Sequence, residues 1–115
     1  YISERLEKFP HIKTPKILDN EHIFQMYSIR LSSNKIREKL RLFLLEKGIF
    51  SKIYFEPIHK TSYYLKHFPS NNFKLPITEI VSKEILTLPM YPNMTNEEKN
   101  LLIYTISEFF ENEDF

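Results

Sequence analysis

Cysteine is absent from the 115-residue sequence, and glycine occurs once, at Gly48. Without cysteine there is no disulfide framework, no thiolate nucleophile and no thiolate metal site. A chain that wraps its backbone around a phosphate group usually needs several glycines for the close approach, so the sequence predicts no phosphate-binding loop. No apolar run reaches the roughly 20 residues that a membrane-spanning helix requires, and we expect no membrane partner.

Neither sign of charge is in excess, because 16 lysine and arginine residues are balanced by 15 acidic residues, which leaves a net charge of +1. This balance gives no long-range attraction to nucleic acid, so nucleic acid is not an expected partner. The lack of cysteine suits a reducing compartment, and we expect a cytoplasmic protein. Hydrophobic residues form 42% of the chain and charged residues 27%, which is typical of a folded domain rather than a disordered segment.

The pattern of apolar residues predicts one α+β domain, a small antiparallel sheet packed with about four helices. Ile23–Leu31 and Ile49–Phe55 mix β-branched with aromatic residues and predict strands. One further short strand is expected within Pro10–Asn20 or Leu86–Met90, since two strands alone are marginal. Helices are predicted at Ile2–Lys8, from a cap at Ser33 or Asn34 to Gly48, at Lys60–His67, from Pro76 to Leu86, and after a T-x-x-E capping box formed by Thr95 and Glu98.

The histidines do not have the spacing of a metal site. No two of them are four residues apart, and none forms an H-E-x-x-H pattern, so no metal ligand is predicted. A catalytic triad of His59, a serine and Asp19 is not supported either, because no serine has the flanking glycines of a nucleophile elbow. The histidines considered are His11, His22, His59 and His67.

The segment Ile53–His59 has the composition of a possible binding site. It groups aromatic rings, a carboxylate, a proline and an imidazole after a predicted strand, and Tyr63 and Tyr64 follow it. Loops after strands are common places for binding residues because a rigid scaffold holds them. The alternative interpretation is a set of packed aromatic side chains with a partly buried histidine. The residues alone favour this second interpretation.

An ordered series of short motifs resembles the C-terminal portion of the DegT/StrS-type sugar aminotransferases. The resemblance covers nearly the whole chain, and its lead-in includes His22 at the start of a strand and an RxxL-type helix from Arg37 to Leu40. The block Leu86–Thr95, followed by Glu98, is the most specific part. The motifs, in order, are Gly48-Ile49, Ile53-Tyr54-Phe55-x-Pro57-Ile58-His59, Tyr63-Tyr64, Leu75-Pro76-x-Thr78-Glu79 and Leu86-Thr87-Leu88-Pro89-Met90-Tyr91-Pro92-x-Met94-Thr95-x-Glu97-Glu98.

This resemblance implies that the chain is the small C-terminal domain of a larger enzyme. Residues 1–20 would be a helix end and linker from a missing N-terminal large domain, and residues 21–115 the small domain. We interpret the start at Tyr1 as a cut within a longer polypeptide. The resemblance places the lysine that binds pyridoxal phosphate in the large domain, so neither a catalytic nor a cofactor-binding residue is expected here. The whole enzyme is expected to be a homodimer.

The implied activity is transfer of an amino group, from glutamate, to a keto group on a nucleotide-linked sugar, in the synthesis of polysaccharides or modified sugars. His59 and Tyr54 are the positions to which the family's substrate contacts carry over, although many relatives have a histidine near Tyr54. The isolated chain is expected to be inactive and to bind no cofactor. The alternatives are a related pyridoxal-phosphate-dependent sugar dehydratase and a non-catalytic binding module. An exposed docking surface is expected near Tyr27, Phe50 and Tyr63.

Overall fold

A computed structural model describes residues 1–16, 23–69 and 73–113. Within these ranges the chain forms three strands and five α-helices, and a single 3-10 turn precedes α3. The predicted α+β class is confirmed. In chain order the elements are α1 (Ile2–Leu6), β1 (Ile12–Lys13), β2 (Tyr27–Leu31), α2 (Asn34–Glu46), the 3-10 turn (Ile58–Lys60), α3 (Ser62–His67), α4 (Pro76–Glu84), β3 (Ile85–Leu88) and α5 (Asn96–Asn112).

The three strands form one antiparallel sheet in the order β1-β2-β3. Ile29 of the central strand lies opposite Leu86 of β3, and Leu31 lies opposite Ile12 of β1. Alternate residues of β2 are buried, and the residues between them are half-buried. This period of two is what a strand with one face on the core requires.

The core lies between the sheet and helices α1, α2 and α5. The apolar residues of α2 and α5 recur at helical spacing, so one face of each helix is buried. Leu6 of α1 is also fully buried, which ties the beginning of the chain to the rest of the core. The most deeply buried side chains are Leu6, Ile29, Leu31, Leu40, Leu44, Leu86, Leu88, Leu102 and Ile106.

Local capping chemistry sets the helix ends, and these predictions are confirmed. Ser33 caps α2, where its Oγ accepts a hydrogen bond from the backbone N–H of Ile36 at 3.2 Å. Gly48 follows the end of α2 with a φ of 78°, a left-handed conformation that favours glycine. Thr95 and Glu98 form the predicted capping box at the start of α5.

The predicted strand Ile49–Phe55 is wrong. Only Lys52 pairs with the sheet, in an isolated antiparallel bridge to Thr87 of β3. Two hydrogen bonds make this bridge, from the Lys52 N–H to the Thr87 carbonyl at 2.9 Å and from the Thr87 N–H to the Lys52 carbonyl at 2.8 Å. The rest of Ile49–Phe55 forms no strand, and this segment is called the tether below.

Two element boundaries also differ from the prediction. The strand predicted at Ile23–Leu31 begins at Tyr27. Ile85 and Leu86, predicted to end a helix, lie in β3, because the backbone becomes extended at Ile85 and pairs with β2. Both regions proposed for a further strand supply one, at Ile12–Lys13 and Ile85–Leu88. His22 and the predicted boundary between residues 20 and 21 lie outside the described residues, so the boundary stays a prediction.

Candidate functional site

His59 lies in the middle of the 3-10 turn that follows Pro57. The turn is closed by a hydrogen bond from the Lys60 N–H to the Pro57 carbonyl at 2.8 Å. Thr61 adds a second closure, because its Oγ1 donates to the Ile58 carbonyl at 2.8 Å. Thr61 is also the N-cap of α3. This local structure fixes the backbone from which the His59 ring projects, and only 9% of its side chain is exposed.

Glu79, in the first turn of α4, holds the His59 ring. The His59 Nε2 atom lies 3.1 Å from Glu79 Oε1, and Lys60 Nζ donates to Glu79 Oε2 at 2.5 Å. The backbone N–H of Leu75 donates to Oε1 at 3.4 Å. The hydrogen bond from Lys60, with that from His59, lowers the pKa of the Glu79 carboxyl to about 2. Glu79 is therefore a carboxylate at neutral pH.

A depression of about 620 Å³ lies beside His59. Its wall is mainly apolar and aromatic, and the rings of Tyr64 and Phe73 on one side have centroids 6.5 Å apart. Polar groups are supplied by His59, Glu56 and Thr78. An apolar wall with a few polar groups is the usual composition of a small-molecule site.

Tyr54 lines a different depression, of about 300 Å³. This second depression is bounded by the tether and by the residues after β3, including Lys52, Met90 and Tyr91. The Lys52 ammonium lies 5.7 Å from the centroid of the Tyr54 ring, within the range of a cation–π contact. The hydroxyl of Tyr91 donates a hydrogen bond to the Glu98 carboxylate, which raises the pKa of Tyr91.

The two predicted substrate contacts are thus not brought together in one depression. Tyr54 and His59 are separated along the chain by residues 55–58 and line separate depressions. Their roles in substrate binding stay predictions. Sequence reasoning did not assign a role to Glu79 beyond its place in a motif. The available signal was a carboxylate in the first turn after Pro76, a position that a helix N-terminus favours.

His11 and His67 have structural partners. His11 Nδ1 lies 2.9 Å from Ser32 Oγ, and the His67 ring packs on Tyr63 with centroids 4.3 Å apart. Within residues 1–16, 23–69 and 73–113, no group of three or more His, Cys, Asp or Glu side chains could hold a metal ion. Asp19 and His22 lie outside these ranges. The helices in the same ranges include none that is long and apolar enough to cross a membrane.

The expected docking surface is only partly where it was predicted. The prediction that Tyr27 belongs to this surface is wrong, because only 3% of Tyr27 is exposed and its hydroxyl lies 2.6 Å from Ser3 Oγ. It belongs to the buried face of β2, where alternation places it. Phe50 and Tyr63 are exposed as predicted. Other large apolar side chains exposed in the same part of the chain are Phe55, Ile58, Leu65, Phe73 and Ile77.

The fold is a small α+β domain in which the segment that carries Tyr54 and His59 is bridged to a three-stranded sheet at Lys52. A family model described as the DegT/DnrJ/EryC1/StrS aminotransferase family matches residues 1–107. The chain belongs to this family, and the resemblance noted in the sequence is confirmed.

Individual relatives agree with the family match. A pleiotropic regulatory protein from Geobacillus stearothermophilus is 35% identical over 104 residues, which cover 86% of this chain and 26% of that protein. The crystal structure of a DegT DnrJ EryC1 StrS aminotransferase from Brucella abortus is 29% identical with a TM-score of 0.79, and the match covers 97% of this chain and 29% of that one.

A more distant structure shares the fold. It is NtdA from Bacillus subtilis with bound cofactor PMP, which is 19% identical with a TM-score of 0.81 and is matched over 96% of this chain and 26% of its own. The chain thus spans between a quarter and a third of the length of these three relatives.

Proposed function

We propose that this chain is the C-terminal small domain of a pyridoxal-phosphate-dependent aminotransferase that transfers an amino group from glutamate to a keto sugar nucleotide. The observation that carries the proposal is the match of residues 1–107 to the aminotransferase family. The bound PMP in the NtdA structure supports the choice of cofactor. The share of the relatives' length that the chain spans supports a larger enzyme.

We expect that the residues of this chain do not form a site for pyridoxal phosphate by themselves. The cofactor in such enzymes is held by a lysine as a Schiff base. In the part of the chain that the structure describes, no lysine is buried, and Gly48 is the sole glycine of the sequence. We therefore propose that the cofactor lysine lies in a large domain outside this chain. When bound there, the cofactor supplies an electron sink.

This chain's part in the reaction would be to form one wall of the substrate cleft. His59 offers a ring nitrogen whose position is fixed by Glu79, and Tyr54 offers a hydroxyl on the tether. The aromatic wall beside His59 would exclude water on one side of the sugar. Fixing the orientation of a substrate in this way lowers the entropic cost of reaching the transition state.

Exposed apolar residues around α3 and α4 support a covered surface in the complete enzyme. Among them, Ile58 and Ile77 are 72% and 77% exposed. Large exposed apolar patches on a protein surface usually mark an interface. We assign it to the large domain or to the second subunit of a homodimer.

The polypeptide produced from the complete reading frame is the material for the decisive test. Purified with pyridoxal phosphate, it is expected to convert glutamate to 2-oxoglutarate over repeated turnovers only when a nucleotide-linked keto sugar is present to accept the amino group. His59→Ala and Tyr54→Phe should raise KM for the sugar nucleotide, and Lys74→Ala, in the same region, should not. Dehydration of the sugar without transfer of an amino group would show that the enzyme is the related dehydratase and not an aminotransferase. Failure to bind pyridoxal phosphate would overturn both.

A non-catalytic regulatory module is the second candidate function. The name of the Geobacillus stearothermophilus relative, a pleiotropic regulatory protein, favours it. The two candidates differ in what the complete polypeptide does with substrate. A protein that binds a sugar nucleotide without changing it, with or without cofactor, would support the regulatory module and contradict the enzyme.

A further inference from the structure

The contact between His59 and Glu79 fixes where one hydrogen of the His59 ring lies. Glu79 is ionised at neutral pH, as its lowered pKa requires, and an ionised carboxylate can only accept hydrogen bonds. The 3.1 Å contact between His59 Nε2 and Glu79 Oε1 therefore needs a hydrogen on Nε2. In the neutral imidazole this leaves a lone pair on Nδ1.

The other carboxylate oxygen of Glu79 is held as well. Lys60 Nζ donates to Oε2 at 2.5 Å, while the Leu75 N–H donates to Oε1. Glu79 is thus fixed by neighbours on both sides and cannot easily turn away from His59. No hydrogen bond to His59 Nδ1 comes from residues 1–16, 23–69 or 73–113. This nitrogen is the one left for a ligand in the adjoining depression.

We propose that Glu79 is a positioning residue that keeps the hydrogen of neutral His59 on Nε2, so that Nδ1 accepts a hydrogen bond from a hydroxyl group of the sugar substrate. The inference rests on the proposed function for the identity of the ligand, but the hydrogen placement follows from this chain alone. It also gives a physical reason for a glutamate at this position. A glutamine could accept from Nε2 or donate to it and would not fix the tautomer.

Nuclear magnetic resonance of the 115-residue chain with nitrogen-15-labelled histidine tests the hydrogen placement directly. At a pH of about 9, where an imidazole is normally neutral, the two-bond proton–nitrogen correlations of His59 should show the Nε2–H tautomer alone. Glu79→Gln should lose this exclusivity and give a mixture. Lys60→Met removes the ion pair but retains the Glu79 contact, so it should keep the Nε2–H tautomer. Glu84→Gln, on the same helix but paired with Arg30, is the matched control.

An Nδ1–H tautomer in the unaltered chain, or an unchanged tautomer in Glu79→Gln, would overturn the proposal. A mixture in Lys60→Met as large as that in Glu79→Gln would also overturn it, because the ion pair rather than the carboxylate would then set the ring. Circular dichroism of each variant verifies folding. These outcomes do not depend on enzyme activity, so they are separate from failure of the proposed function.

The second readout uses the complete enzyme. Glu79→Gln should raise KM for the sugar nucleotide by about tenfold, the equivalent of one hydrogen bond, while kcat changes much less. A merely structural role would instead lower the amount of folded enzyme and leave KM unchanged. An unchanged KM in a folded Glu79→Gln enzyme would overturn the substrate contact at Nδ1.

Discussion

Replacing Thr95 with alanine should lower the free energy of unfolding by about 1 kcal/mol. Thr95 Oγ1 accepts a hydrogen bond from the Glu98 N–H at 3.2 Å, and Glu98 Oε2 accepts one from the Thr95 N–H at 2.8 Å. Alanine removes Oγ1, so the Glu98 N–H at the start of α5 loses its protein acceptor. Because α5 carries the buried Leu102 and Ile106, losing the cap hydrogen bond should lower the stability of the whole core.

Thermal unfolding followed by far-ultraviolet circular dichroism measures this effect. In a chain of 115 residues, a loss of about 1 kcal/mol lowers Tm by about 4 °C. Thr95→Ser keeps the acceptor oxygen and should stay near the parent value. Thr78→Ala replaces an exposed threonine inside α4 and should not lower Tm, since alanine favours helix. A shift below about 1 °C for Thr95→Ala, or an equal loss for Thr95→Ser, would refute the reasoning.

Three further predictions concern the rest of the fold and the site. Gly48→Ala should cost about 1 kcal/mol from backbone strain alone, because φ is 78° and an added Cβ would meet no atom within 4 Å; Gly48→Asn should cost less, and equal costs in chemical denaturation would contradict this. Leu40→Ala should cost about 2–5 kcal/mol, since Leu40 is fully buried, and a loss below about 1 kcal/mol would contradict its place in the core. The Glu79 carboxyl should titrate at about 2, below its ordinary value of 4.5. Its stabilising contribution is then complete above the ordinary value and lost as the pH falls toward about 2. In carbon-13 titrations Lys60→Met should raise this pKa, and an unchanged value would show that Lys60 does not cause the shift.

Helix ends were predictable from the sequence because their causes are local. The capping box of Thr95 and Glu98 and the left-handed Gly48 each depend on residues within one turn. The strand predicted at Ile49–Phe55 failed because composition cannot show whether a partner edge is available along its length. Only Lys52 finds one, opposite Thr87. Ile85–Leu88 shows the reverse case, where pairing with β2 overrides a helical pattern.

The candidate site was predictable only in part for the same reason. His59 and Tyr54 could be chosen from motif order, but the contact between His59 and Glu79 joins residues 20 positions apart. Such a contact depends on how α4 packs against the 3-10 turn. A local sequence pattern does not predict this packing. Tyr27 shows the same limit, since an aromatic residue taken for a docking surface is buried on the inner face of β2.

The two tertiary anchors of the site belong to one continuous stretch of chain. Thr87, which holds the tether that carries Tyr54, lies in β3, and Glu79, which holds His59, lies in α4. Helix α4 ends at Glu84 and β3 begins at Ile85, with no loop between them. A shift of this stretch therefore moves the supports of Tyr54 and His59 together, although the two residues line separate depressions. Destabilisation at the cap of α5 leaves both anchors in place, so Thr95→Ala should lower Tm without changing the tautomer of His59.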